Sequence, residues 1–247
     1  MGKLILILSN ERTGSTLLCH ALQRVLPNTL SFDEIFTNVV KCTLWPRHGH
    51  MPYYNKQQLM INDAFFIYLE HVQKLVQQHA KDIIIKVHRE HVAFNQTAWH
   101  KLFTMSDKII FLTRENDFHR YVSWRVASKL NQWWLDRDSS SEPITTTISI
   151  DVYDMLANAM WIQNINTYVR KLLWAVSNVF SITYNQIVNN VTNISTYLNP
   201  QQLPQKLVLT GKKILAEPYQ QIITNYRQVY ELLTEHNIFY KKFLTPP

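Results

Sequence analysis

Apolar residues fall along this chain in two rhythms. Continuous β-type runs occur at Lys3–Ser9, Asp82–Val87 and Lys108–Thr113. Runs without alternation predict strands buried on both faces. Shorter runs at Thr29–Phe32 and Val179–Thr183 predict two further strands. Elsewhere apolar residues recur every three or four positions, the helical period. Leu17, Leu18, Ala21, Leu22 and Val25 mark a helix over Ser15–Val25, ended by Pro27 and Asn28. The same period predicts helices over Gln57–His79, Asp117–Leu135, Asp151–Ala175, Gln186–Leu198 and Pro218–Glu235. Proline in its first turn suits the last of these. Val39–Tyr54, Asp138–Thr147 and Pro200–Lys213 read as loops by their Gly, Pro and Ser/Thr content. Strands alternating with helices predict an α/β fold of three layers, with a central, mostly parallel sheet flanked by helices. Neither a repeat nor a linker divides the chain, so residues 1–247 read as one domain.

The most informative stretch is Leu4–Leu22, LILILSNERTGSTLLCHAL. A buried strand enters a short loop that opens a helix, a P-loop-like arrangement. Such a turn directs backbone N–H groups and the positive helix end at an anion. Arg12 adds a fixed cation, Ser15 and Thr16 add hydroxyl donors, and Gly14 allows close backbone approach. This is not a Walker A loop, because the upstream Gly and the Lys after the second Gly are missing. Nor is an Asp placed for Mg²⁺. A nucleotide kinase or GTPase therefore fits poorly.

Composition narrows the classes further. A formal charge of +7 suits a polyanionic ligand, yet no basic run or basic helix face marks a nucleic-acid surface. No apolar run approaches the length of a membrane span. The apolar run Leu4–Leu8 is expected not to be a signal peptide, being too short. Cys19 and Cys42 make neither a disulfide framework nor a metal cluster, and Cys19 reads as a packed core thiol. A cytoplasmic protein without metal is expected, and the Asn-X-Ser/Thr triplets at Asn95, Asn190 and Asn193 read as chance occurrences.

Arg12–Leu18, RTGSTLL, resembles the 5′-phosphosulfate loop of sulfotransferases that use 3′-phosphoadenosine 5′-phosphosulfate (PAPS). The stretch through Cys19 is closest to bacterial members that sulfate sugars, such as trehalose sulfotransferases. The resemblance gives Arg12 the 5′-phosphate and bridging oxygen, with Thr13, Gly14, Ser15, Thr16 and Leu17 completing the cradle. A second match is IIFLTRENDFHRYVSWRVA, Ile109–Ala127. There the family's 3′-phosphate pair maps to Arg114, at a strand end, and Ser123, nine positions on. Ser181–Val188, SITYNQIV, is similar to the family's strand ending in Tyr-Glu-Asp-Leu, with Tyr184 kept and Asn185 and Gln186 in place of the acids. Thr210–Tyr226 resembles the C-terminal loop that closes over the nucleotide, through Lys212 and Lys213 ahead of Pro218. The resemblance implies an enzyme that moves a sulfuryl group from PAPS to a small acceptor, releasing PAP, without metal and with a homodimer left open.

Sulfuryl transfer needs a base for the acceptor's proton and cations for the leaving phosphate. Arg12 and Lys86 are the cations. Two residues compete as base. Glu34, in Phe32-Asp33-Glu34-Ile35-Phe36, resembles the Glu of the sugar-sulfating group. His88, in Lys86-Val87-His88, resembles the Lys-x-His of cytosolic sulfotransferases and has the better intrinsic pKa. The flanking residues favour Glu34; the pKa favours His88. Trp45, Tyr53, Tyr54, Trp133 and Trp134 are candidates to line an acceptor pocket or pack in the core.

Overall fold

The computed structural model describes residues 2–26, 28–34, 64–78, 81–92, 94–132, 146–188, 193–201 and 218–238. Among them the five apolar runs become β1 (Leu4–Ser9), β2 (Thr29–Glu34), β3 (Asp82–His88), β4 (Lys108–Thr113) and β5 (Val179–Thr183). They form one sheet in the order β2-β3-β1-β4-β5. Every pairing is parallel, with Ile5 of β1 opposite Ile84 on one side and Lys108 on the other. The helices are α1 (Ser15–Val25), α2 (Ala64–Gln78), α3 (Arg89–Val92), α4 (Gln96–Met105), α5 (Asp117–Leu130), α6 (Val152–Leu173), α7 (Tyr184–Val188), α8 (Asn193–Leu198), α9 (Tyr219–Ile222) and α10 (Tyr226–Glu235).

The chain divides into two compact units. The first comprises Met1–Thr113 with Ile165–Leu209, and the second Arg114–Asn164 with Thr210–Pro247. In the first unit the strand period of two sorts side chains onto two faces. Leu4, Leu6, Leu8, Ile83, Ile85, Val87, Ile109 and Phe111 pack with Leu69 and Val72 of α2, Trp99 and Leu102 of α4, and Ile165 and Val169 of α6. Ile5, Ile7, Ile84, Ile110, Leu112 and Ile182 pack with Leu18, Cys19 and Leu22 of α1, Ile187 of α7, and Ile194 and Leu198 of α8. That is the expected three-layer α/β sandwich. Its continuous apolar runs follow from burial of both sheet faces.

The second unit has its own core, in which Phe118, Tyr121 and Val122 of α5 meet Met155 and Ala159 of α6 and Val229 and Leu233 of α10. The single helix predicted over Pro218–Glu235 is split here into α9 and α10. Between them, Ile223 bridges Ile148 in parallel, with Thr224 N–H donating to the Ile148 carbonyl at 2.9 Å. The Asn225 side chain binds both backbone groups of Ile150, so strand-like pairing outcompetes helical continuation of a β-branched run. The α5 helix stops five residues earlier than its pattern predicts. Asn131 adopts φ 49 at its C-cap, and Gln132 N–H returns to the Ala127 carbonyl. Of the helix predicted over Gln186–Leu198, residues 186–188 lie in α7 and residues 193–198 form α8, while residues 189–192 lie outside the described residues.

No helix among the described residues is long and apolar enough to cross a membrane. Cys42, Trp45, Tyr53, Tyr54, Trp133, Trp134, Lys212 and Lys213 lie outside the described residues.

Candidate functional site

In an all-parallel sheet the strands' C-terminal ends share one edge. Here β1 leads into α1 on one face, while β3 leads through α3 into α4 on the other. Crossovers that leave adjacent strands toward opposite faces open a crevice between those strand ends, the usual ligand position in open α/β sheets. The loop at residues 10–14 follows β1 into that crevice. From β3 come Lys86, opposite Ile7, and His88, opposite Ser9. Glu34 ends β2, its backbone in register with Lys86 beyond an irregularity at Phe32. Both candidate bases therefore stand at the C-terminal edge, on neighbouring strands.

The loop is tightly specified. Arg12 has φ 63 and Gly14 φ 85, so two residues in three are left-handed. For a residue with a Cβ that conformation costs about 1–2 kcal/mol. Gly14 avoids this cost and also leaves room for Tyr184, whose ring carbons lie 2.7 and 2.9 Å from where a Cβ would stand. Tyr184, predicted to touch the nucleotide, thus packs on the loop itself. Thr13 is 1% exposed and its hydroxyl donates to the Asn10 carbonyl at 2.7 Å, so that hydroxyl serves the loop. At the start of α1, Gly14 is the N-cap and provides no side-chain cap. The first-turn N–H groups, including those of Ser15, Thr16 and Leu17, have no intrahelical acceptor and suit an anion. Ser15 is buried, and Thr16 and Leu17 are partly exposed.

Lys86 is only 3% exposed, and its ammonium donates to Thr16 Oγ1 at 2.9 Å. The strand-borne cation therefore reaches the helix start that Arg12 precedes by three residues. This meeting of Lys86 with the first turn of α1, 70 residues apart in sequence, unites two separately predicted elements.

Three residues were missed by sequence reasoning. The Asn10 carboxamide is buried, its Oδ1 accepting from Arg89 Nε at 3.1 Å and also from Nη2. Its Nδ2 donates to Glu90 at 2.7 Å, and the other Glu90 oxygen accepts the Glu11 N–H at 2.6 Å. Arg89 is fully buried, lies 4.2 Å from the Phe111 ring centroid, and donates to the Leu112 carbonyl at 2.8 Å. A polar Arg-Glu pair directly after a buried strand was the available signal. Ligand atoms of Glu11, His88 and Glu90 also lie within 4.8 Å of one another. One imidazole and two carboxylates form a donor set suited to a borderline divalent cation, a capacity the sequence alone did not reveal.

The second unit carries Arg114, partly buried, and Ser123, 7% exposed on α5. Asn116 caps α5, its Oδ1 accepting the His119 N–H at 2.9 Å. Asp117 accepts from Gln163 at 3.2 Å, and Arg120 binds both Asp117 and Asn158, which fixes α5 against α6. Tyr121 donates to Asp154, and its pKa is pushed up to about 12 by burial first and by that bond second.

No protein-family model and no curated protein matches the chain. Among solved structures, a sulfotransferase domain from the curacin biosynthetic pathway is 14% identical with a TM-score of 0.44, covering 100% of this chain and 99% of its own. The tunicamycin resistance protein of Deinococcus radiodurans is 12% identical with a TM-score of 0.42, covering 85% of this chain and 99% of its own. Shikimate kinase from Acinetobacter baumannii, solved with shikimate, is 10% identical with a TM-score of 0.44, covering 82% and 96%.

Proposed function

We propose that the chain is a PAPS-dependent sulfotransferase acting on a small hydroxylated or amino acceptor, a sugar or a natural product. The observation that carries this reading is the Lys86 ammonium on Thr16, at a loop that starts a helix and contains Arg12. Two cations and the first-turn N–H groups of α1 suit the phosphosulfate end of such a donor. Arg114 and Ser123 are proposed to hold the 3′-phosphate, which rests on their sequence pattern. Lys212 and Lys213 are proposed to close over the nucleotide on the same ground. In this reading residues 1–247 act as one cytoplasmic enzyme domain.

The acceptor oxygen or nitrogen attacks sulfur while Glu34 or His88 takes its proton. The new S–O or S–N bond forms as the S–O bond to the 5′-phosphate breaks, and the electron pair leaves on the phosphate oxygen. Arg12 and Lys86 offset the charge that grows there. Such preorganised cations act mainly in the transition state.

The test is ligand-linked melting. PAP should raise Tm in a saturable way, 5′-AMP much less, and ATP with Mg²⁺ not at all. Arg114→Ala should remove the preference for PAP over 5′-AMP. Equal stabilisation by the two nucleotides would defeat the assignment of Arg114 and Ser123. A second reading, metal-assisted phosphoryl transfer, draws on the cluster of Glu11, His88 and Glu90. It requires ATP to stabilise the protein only with a divalent cation, and activity to vanish with a chelator.

A further inference from the structure

We infer that Asn10, Arg89 and Glu90 are positioning residues that set the anion loop before any ligand arrives. The inference rests on the reading that Arg12 meets the anion. Arg12 holds a left-handed backbone that a side-chain-bearing residue resists. Such a conformation persists only where its surroundings over-determine it. Here the residues on either side of Arg12 are tied down. Asn10 is held through both ends of its carboxamide, Glu11 through its N–H, and Thr13 through its hydroxyl. The holding groups are themselves anchored. Arg89 is fully buried, bound to the Leu112 carbonyl of β4 and stacked on Phe111. The brace thus ties the loop after β1 to the end of β4 through a residue that follows β3.

The chemistry at position 10 is directional. A carboxamide offers an acceptor to the Arg89 guanidinium and a donor to the Glu90 carboxylate. A carboxylate there satisfies Arg89 but sets an anion 2.7 Å from Glu90. Exchanging the two groups restores every bond. With Asn10→Asp and Glu90→Gln together, the carboxylate at position 10 accepts from Arg89 and from the new amide at position 90. The carbonyl of that amide accepts the Glu11 N–H. None of these side chains needs to touch the substrate for this role.

The experiment compares wild type, Asn10→Asp, Glu90→Gln and the double exchange. Amide hydrogen exchange over residues 10–14 is read without ligand, PAP affinity by calorimetry, and kcat and KM where all variants are folded. Asn10→Asp should speed loop exchange and weaken PAP binding, each by about tenfold or more, while exchange in β1 and β3 stays slow. The double exchange should return both quantities to within about threefold of wild type, a coupling that a general loss of stability does not produce. If Asn10→Asp fails to fold, Glu90→Gln carries the test, since it should loosen the loop alone and be rescued by the same partner change. Unchanged loop exchange in the single variants, or no rescue in the double, overturns the brace. A wild-type protein that binds no PAP sinks the nucleotide reading, and the exchange series still decides the brace.

Discussion

Replacing Gly14 by alanine tests the loop at its most constrained point. Two costs are readable from the structure. The first is conformational: φ 85 lies in the left-handed region, worth about 1–2 kcal/mol against a residue with a Cβ. The second is steric, because the added Cβ meets the Tyr184 ring at 2.7 and 2.9 Å. Overpacking costs about 1–3 kcal/mol, and the lower end applies since Tyr184 is partly exposed and its ring can swing. The expected loss is about 2–3 kcal/mol, which for a chain of 247 residues lowers Tm by roughly 4–12 °C. Urea unfolding of Gly14→Ala, Tyr184→Ala and the double variant separates the two costs. In the Tyr184→Ala background the steric part disappears, so the Gly14 change should cost about 1–2 kcal/mol. A Gly14→Ala protein within about 0.5 kcal/mol of wild type would refute the reasoning, since that is the range of an unremarkable surface change.

The Arg12→Ala variant should lose about 10²–10³-fold in kcat with a much smaller change in PAPS affinity, because charge on the leaving phosphate grows between the bound PAPS and the transition state. Near wild-type kcat with only a raised KM for PAPS counts against that role. Glu34→Gln should cost about 10²–10⁴-fold in single-turnover transfer if Glu34 is the base, with His88→Asn milder. The reverse ranking moves the proton to His88. For Tyr121, the raised folded pKa means its contribution to stability is complete below the ordinary value of 10.0 and is lost as pH climbs through about 12. Urea midpoints from pH 9 upward should fall less steeply in Tyr121→Phe, and identical slopes would remove this residue from the alkaline transition.

Much of the sheet was legible because burial on both faces leaves an unbroken apolar run. β4 and β5 have the predicted bounds, and so does α1. The helix α4 was missed although its start was signalled. Asn95 caps it by accepting the Ala98 N–H at 3.0 Å, and Ala98, Trp99, Leu102 and Phe103 form its buried face. An Asn read only as part of a chance Asn-X-Thr triplet hid that cap. Breaks inside helices were harder, because the bridge of Ile223 to Ile148 depends on a residue 75 positions away, which no local period can report. At the site, residue types were readable and partners were not. Lys86 could be placed at a strand end, but its bond to Thr16 follows from the pairing of β1 with β3. The brace of Asn10 by Arg89 and Glu90 is likewise a product of that register, invisible until both strands are side by side.

The order β2-β3-β1-β4-β5 also has a cost in time. The central strand is made first and finds its neighbours late. Leu4 binds the Asp107 carboxylate across 103 residues of chain, and the pairing with β3 spans 79 residues. At a synthesis rate of about 5–20 residues per second, the apolar run of β1 waits roughly 5–20 s for β4 to be made. For most of that interval, until β3 is made, the Leu-Ile-Leu-Ile-Leu segment has no sheet neighbour and is a template for any other strand it meets. The feature that gathers these strand ends on one edge thus lengthens the exposure of β1 in the nascent chain, and slow codons between residues 9 and 82 should lower its soluble yield.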